Sequence, residues 1–173
     1  LGIENIIGLD RAGIIHAGRA DLNSAKQAYC EMTNPDNITG GMAEAIAGAD
    51  LFGYMEREIQ PFINQNKLTK RFHYLDKLDL PHVRACLKAA DIFLIPSLWE
   101  NCPYSCIEAM TAGRAIVASD CGGLPELIQD RQNGLLAKNN DAQSFIRALD
   151  EMIEDAALRD RCGAAARATV EAR

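Results

Sequence analysis

Asp91-Ile92-Phe93-Leu94-Ile95-Pro96-Ser97 is the stretch that decides the fold. Four consecutive apolar residues closed by a proline read as a strand buried on both faces, since a strand with one wet face alternates apolar with polar. Strands of that kind sit inside parallel sheets whose two faces are covered by helices. Immediately upstream, Asp79 precedes Pro81, and Val83, Cys86, Leu87 and Ala90 recur at helical spacing. Asp79 is therefore expected to cap a helix that carries Pro81 in its first turn and feeds the strand.

The same rhythm runs outward in both directions. Gly13 to Gly18 reads as a first strand, and Asp21 as the cap of a helix bearing Leu22, Ala25, Tyr29 and Cys30. Thr33 to Gly48, with Asn34-Pro35-Asp36 and Gly40-Gly41, gives no assignable pattern. Leu51-Phe52-Gly53 reads as the end of a second strand, and Met55, Ile59, Phe62 and Ile63 share one helical face. Pro61 either kinks that helix or starts a new one. Arg71 to Leu75 reads as a third strand. Downstream come a helix from Pro103 to about Ala112 stopped by Gly113, a strand at Ala115–Ala118, and a turn at Asp120-Cys121-Gly122-Gly123. Leu124–Ile128 is a short helix, Asn133-Gly134 a turn, and Leu135-Leu136 an edge strand. Two helical stretches close the chain: Phe145, Ile146, Leu149, Met152 and Ile153, then Leu158, Cys162 and Ala166. Strands alternating with helices imply βαβ units, so the expected class is α/β with a parallel sheet flanked by helices. A length of 173 residues fits one domain over 1–173.

Composition removes several functions. A formal net charge of −6 argues against a broad grip on nucleic acid or an anionic membrane surface. The apolar runs, such as Ile92–Ile95 and Ala115–Ala118, fall far short of the ~20 residues a membrane helix needs, so no transmembrane segment and a cytoplasmic location are expected. The six cysteines lie in helix and strand patterns, where free buried thiols are expected. Cys102 and Cys106 share a helical spacing, but His16, His73 and His82 lie on other elements, so packing is the expected role rather than zinc ligation.

In a parallel sheet, ligands bind beyond the carboxyl ends of the strands. The loop after Ile95 reads Trp99-Glu100-Asn101-Cys102-Pro103-Tyr104-Ser105-Cys106-Ile107-Glu108, which aims two carboxylates, Glu100 and Glu108, at one crevice. With Pro103 at the first helical position, the amides of Tyr104, Ser105 and Cys106 are left at the positive end of the helix dipole, a seat for an anion. Trp99 and Tyr104 either stack on a base or seal the core. The bland reading has Asn101 capping an ordinary helix and both glutamates solvated.

The ordered ensemble favours the site. Glu100 and Glu108 stand in a Glu-x7-Glu spacing between Ile95-Pro96-Ser97 and Ala109-Met110-Thr111-Ala112-Gly113. Ala115 to Asp120, Gly122-Gly123-Leu124-Pro125-Glu126 and Asn133-Gly134-Leu135-Leu136 follow. From about Thr69 to Arg167 the chain resembles the carboxyl-terminal, donor-binding domain of retaining glycosyltransferases of family 4. The resemblance implies the Rossmann-like half of a GT-B enzyme and a hexose moved from a nucleoside diphosphate sugar, in polysaccharide or glycolipid biosynthesis. It implies that Glu100 contacts the donor sugar, that Glu108 binds the ribose, and that Asn101, Cys102, Pro103, Tyr104 and Ser105 meet the sugar and diphosphate. Gly18, Arg19 and Lys26 would stand at the diphosphate, although the gap between Arg19 and Lys26 is two residues longer than the family's. Asn101-Cys102-Pro103 replaces the family's Gly-Phe-Gly.

No metal and no cofactor beyond the nucleotide-sugar are implied, so growing negative charge on the leaving diphosphate falls to cations and helix amides. The expected partners are the donor and an amino-terminal acceptor domain, absent from this chain, through which peripheral membrane contact would be made. Three other readings stay open: an epimerase of the same architecture, a flavodoxin-like interaction domain without nucleotide, and a non-catalytic nucleotide-sugar-binding remnant.

Overall fold

The computed structural model describes residues 13–17, 43–47, 55–65, 67, 69, 72–75, 78–98, 100–101 and 103–173. They include six strands: β1 (Gly13–Ala17), β2 (Ala43–Ala47), β3 (Phe72–Tyr74), β4 (Ile92–Ile95), β5 (Ala115–Ser119) and β6 (Leu135–Ala137). The helices are α1 (Gln60–Gln65), α2 (Leu80–Ala89), α3 (Tyr104–Thr111), α4 (Leu124–Leu127), α5 (Ala142–Glu154) and α6 (Ala156–Glu171).

The sheet order is β3-β2-β1-β4-β5-β6. β4, β5 and β6 are parallel, as are β2 and β3. β1 departs from the expected direction: it pairs antiparallel with both β2 and β4, with Ile14 opposite Leu94 and His16 opposite Ile92. The strand order turns round between β1 and β4, and the carboxyl ends beyond which ligands bind in α/β sheets are here those of the parallel β4, β5 and β6.

β4 is buried along its whole length, as its unbroken apolar run requires. Its side chains divide between two cores. Phe93 and Ile95 join Ile116, Ala118, Leu87, Met110 and Leu124 under α2, α3 and α4. Ile92 and Leu94 join Val117, Phe145, Met152 and Cys162 under α5 and α6. Helices thus cover both faces, and β4 and β5 are the central partition.

Most boundaries follow the local chemistry. Asp79 caps α2 by accepting from the His82 amide at 3.1 Å, with Pro81 in the first turn. Asp141 and Asp155 cap α5 and α6 in the same way, accepting from Ser144 and Leu158. Gly113 ends α3 with φ +67. Pro61 is the second residue of α1, which follows directly on a π turn at Met55–Ile59. β2 forms at Ala43–Ala47, inside the stretch whose pattern gave no assignment, whereas Leu51-Phe52-Gly53 and the Asp21 helix lie outside the described residues. Cys86, Cys106, Cys121 and Cys162 are free and buried, as expected of packing thiols, while Cys30 and Cys102 lie outside the described residues.

Candidate functional site

Three neighbouring parallel strands release their chains at one edge of the sheet, and the loops lock together there. Ser119 Oγ, at the end of β5, donates to the Ile95 carbonyl at 3.3 Å. The Cys121 thiol donates to the Ser97 carbonyl at 3.2 Å. After β6, Asn139 Nδ2 donates to the Leu98 carbonyl at 3.0 Å. The Gly123 amide donates to the Glu100 carbonyl at 2.8 Å. The loop after β4 is therefore tied down by its neighbours, residue after residue.

Glycine makes that contact possible. A Cβ on Gly122, whose φ is +52, would lie 1.8 Å from the Glu100 carbonyl oxygen, and one on Gly123 would lie 2.9 Å from that of Asn101. The pair read from sequence as a turn is thus the floor on which the Glu100 loop rests.

Glu100 is half-buried, and its Oε1 accepts from Ser97 Oγ at 2.8 Å. Its charge is the second cause, after burial, that pushes the Cys106 thiol up to about 12. Burial raises the Cys121 thiol as well. Glu108 stands one turn into α3, exposed, and lines a groove of about 360 Å³ with Ile107 and with Val83, Arg84 and Leu87 of α2. Glu100 thus lies in the loop before α3 against Ser97, and Glu108 one turn into α3 on a groove that Glu100 does not line.

The helix start differs from expectation in one respect. Pro103 is buried and is the N-cap rather than the first helical residue, and its carbonyl accepts from the amides of Cys106 at 3.0 Å and Ile107 at 3.2 Å. The Cys106 amide is consequently spent. Tyr104 and Ser105 keep their amides at the positive end of the dipole. Asn101 is exposed and does not cap α3. Tyr104 is 72% exposed, so it does not seal the core.

Gly18, Arg19, Lys26, Trp99 and Cys102 lie outside the described residues. β1 ends at Ala17 beyond Ile92, the edge opposite that of Ile95. Ser97, unremarked in the sequence except as part of a strand end, is the residue whose contact with Glu100 spacing alone did not show. Among the described residues no group of three or more His, Cys, Asp or Glu could hold a metal ion. Among them, too, no helix is long and apolar enough to cross a membrane.

Residues 43–169 match the family described as glycosyl transferases group 1. The chain belongs to this family. Its structural neighbours are GT-B glycosyltransferases, and this chain has the fold of a GT-B carboxyl-terminal domain. The chain is 38% identical over 80 residues to the Escherichia coli UDP-Gal:alpha-D-GlcNAc-diphosphoundecaprenol alpha-1,3-galactosyltransferase, covering 46% of this chain and 20% of that protein. It is 26% identical, with a TM-score of 0.64, to the C-terminal domain of a glycosyl transferase group 1 family protein from Francisella tularensis, covering 69% of this chain and 62% of that one. Anabaena HepE, solved in complex with UDP-glucose, shares the fold with a TM-score of 0.70 at 22% identity, covering 90% of this chain and 41% of that one. This chain spans about a fifth of the length of its E. coli relative. A flavodoxin-like domain without nucleotide is not favoured by these relationships.

Proposed function

We propose that this chain is the donor-binding domain of a retaining, metal-independent glycosyltransferase of family 4, which moves a hexose from a nucleoside diphosphate sugar to an acceptor. The family match over residues 43–169 carries the reading, and it is supported by the order along the chain beyond β4: Glu100 in the loop, the amides of Tyr104 and Ser105 at the start of α3, and Glu108 one turn into that helix. The amides suit a diphosphate. Carboxylates only accept, so they suit hydroxyls: Glu108 those of the ribose and Glu100 those of the sugar. The E. coli relative is named for a nucleoside diphosphate sugar donor and a diphosphate-linked lipid acceptor, and only the donor class is carried over.

Transfer needs an acceptor-binding domain, which we place amino-terminal to this one, together with a cytoplasmic location and any peripheral membrane contact. Positive charge at the leaving diphosphate comes by resemblance from Arg19 and Lys26, with Gly18 beside them as a binding position, whereas the direction of β1 sends its carboxyl end away from Ile95. Titrating Arg19→Ala with nucleotide decides between the two.

Calorimetric titration with UDP and GDP tests the whole reading. One of them binds, Glu108→Ala abolishes that binding, and Glu100→Ala weakens the intact nucleotide-sugar while leaving the bare nucleotide nearly unchanged. This chain alone transfers no sugar. Silence with both nucleotides at millimolar concentration refutes the reading, and equal losses in Glu100→Ala refute the role given to that residue.

A further inference from the structure

Glu100 hangs from an irregular loop, and a free glutamate there would sample many rotamers, whose loss on binding weakens affinity. The structure shows how the loss is avoided. Ser97 Oγ donates to Glu100 Oε1 at 2.8 Å across three residues, and both side chains are partly buried. Among the described residues no other side chain donates to this carboxylate. Ser97 is itself anchored, because the Cys121 thiol donates to its carbonyl at 3.2 Å. The Glu100 backbone is held separately by the Gly123 amide at 2.8 Å. Main chain and carboxylate are thus fixed by different partners, one from the loop after β5 and one from the loop of Glu100 itself.

We infer that Ser97 is a positioning residue for donor-sugar recognition, holding one oxygen of Glu100 so that the other is presented to a hydroxyl of the hexose. This rests on the proposed function, since it takes Glu100 as the sugar contact. The geometry also fixes the polarity of the pair. With its proton given to Glu100, Ser97 Oγ has only lone pairs left, so serine and glutamate together present acceptors, and the sugar must bring the donors. A serine that merely tied the turn would act on the backbone, yet the backbone of Glu100 already has its own partner in Gly123.

The test compares paired probes on the whole chain by calorimetry: UDP with UDP-glucose, and GDP with GDP-mannose. The ratio of affinities within a pair isolates the sugar. In Ser97→Ala that ratio falls roughly tenfold, the size expected for one charge-assisted hydrogen bond, while the bare nucleotide changes less than about twofold. Ser97→Thr keeps the hydroxyl and restores the ratio. In a Glu100→Ala background Ser97→Ala has no further effect on the ratio, because the two act through one contact. Should thermal melting show Ser97→Ala unfolded, the near-isosteric but poorly donating Ser97→Cys takes its place with the same expected loss.

A wild-type ratio in the Ser97 variant overturns this inference alone, as does an equal loss for nucleotide and nucleotide-sugar or an additive effect in the double variant. Failure of wild-type protein to bind UDP or GDP at all overturns the proposed function, and the inference with it.

Discussion

Gly122 lies so close under Glu100 that a methyl group on it would sit 1.8 Å from the Glu100 carbonyl oxygen, far inside van der Waals contact. The obstacle is backbone, which cannot swing aside as a side chain can, and φ +52 adds strain for any other residue. Gly122→Ala is therefore expected to push the Glu100 loop off its floor, costing roughly 2 to 4 kcal/mol of stability. Gly113→Ala is the control, since φ there is +67 but the nearest atoms stand 3.8 Å away. Strain alone should cost only about 1 to 2 kcal/mol in that variant. Urea unfolding of the two variants measures the difference, and nucleotide-sugar binding should be lost in Gly122→Ala only. Equal behaviour of the two would mean that the loop, not the glycine, sets the contact.

Asn133 shows where reading by local pattern stops. Asn-Gly is a strong turn signal, and Asn133-Gly134 does make a turn before β6. Yet Asn133 is 3% exposed, and its amide spans three partners. Oδ1 accepts from the Gln129 amide at 2.7 Å, while Nδ2 donates to the Leu127 carbonyl at 3.0 Å and to Thr169 Oγ1, on α6, at 3.1 Å. Asn133→Ala orphans those groups and is expected to cost about 2 to 3 kcal/mol in denaturant unfolding. A loss below about 0.5 kcal/mol would show the residue to be a turn former only.

That case divides what was legible from what was not. β4, the cap at Asp79 and the stop at Gly113 are decided by neighbours within about ten residues, and the sequence displays such neighbours directly. The contacts of Asn133 with Thr169, of Gly122 with Glu100 and of Cys121 with Ser97 join residues 22 to 36 positions apart. No periodicity encodes them. β1 illustrates the same limit, because an apolar run specifies a strand but not its direction, which depends on its partners β2 and β4. Pro103 marks the limit at short range: proline favours the first helical position, yet the carbonyl bonds to Cys106 and Ile107 put it one residue earlier, at the cap.

Cys106 links the site to alkaline stability. Its thiol, on α3, is buried in the core shared with Ile116 and Ala118 of β5, and burial, followed by the negative charge of Glu100, pushes it from 9.0 up to about 12. The folded value is the higher one, so the contribution to stability is complete below pH 9 and is lost as pH rises from 9 towards 12. In that window the unfolded chain releases the proton and the folded one keeps it. The free energy of unfolding then declines by at most about 1.4 kcal/mol per pH unit for this one group. Cys86, raised by burial to about 11, adds a decline of the same sign. The telling comparison is therefore wild type against Cys106→Ala, measured by denaturant unfolding at pH 8 and pH 10. The variant is less stable at both, because it leaves a cavity, but its decline between them is shallower. Glu100→Gln should flatten the decline slightly and no more, since burial is the larger cause and survives the change. A decline in Cys106→Ala as steep as in wild type would place the alkaline sensitivity elsewhere.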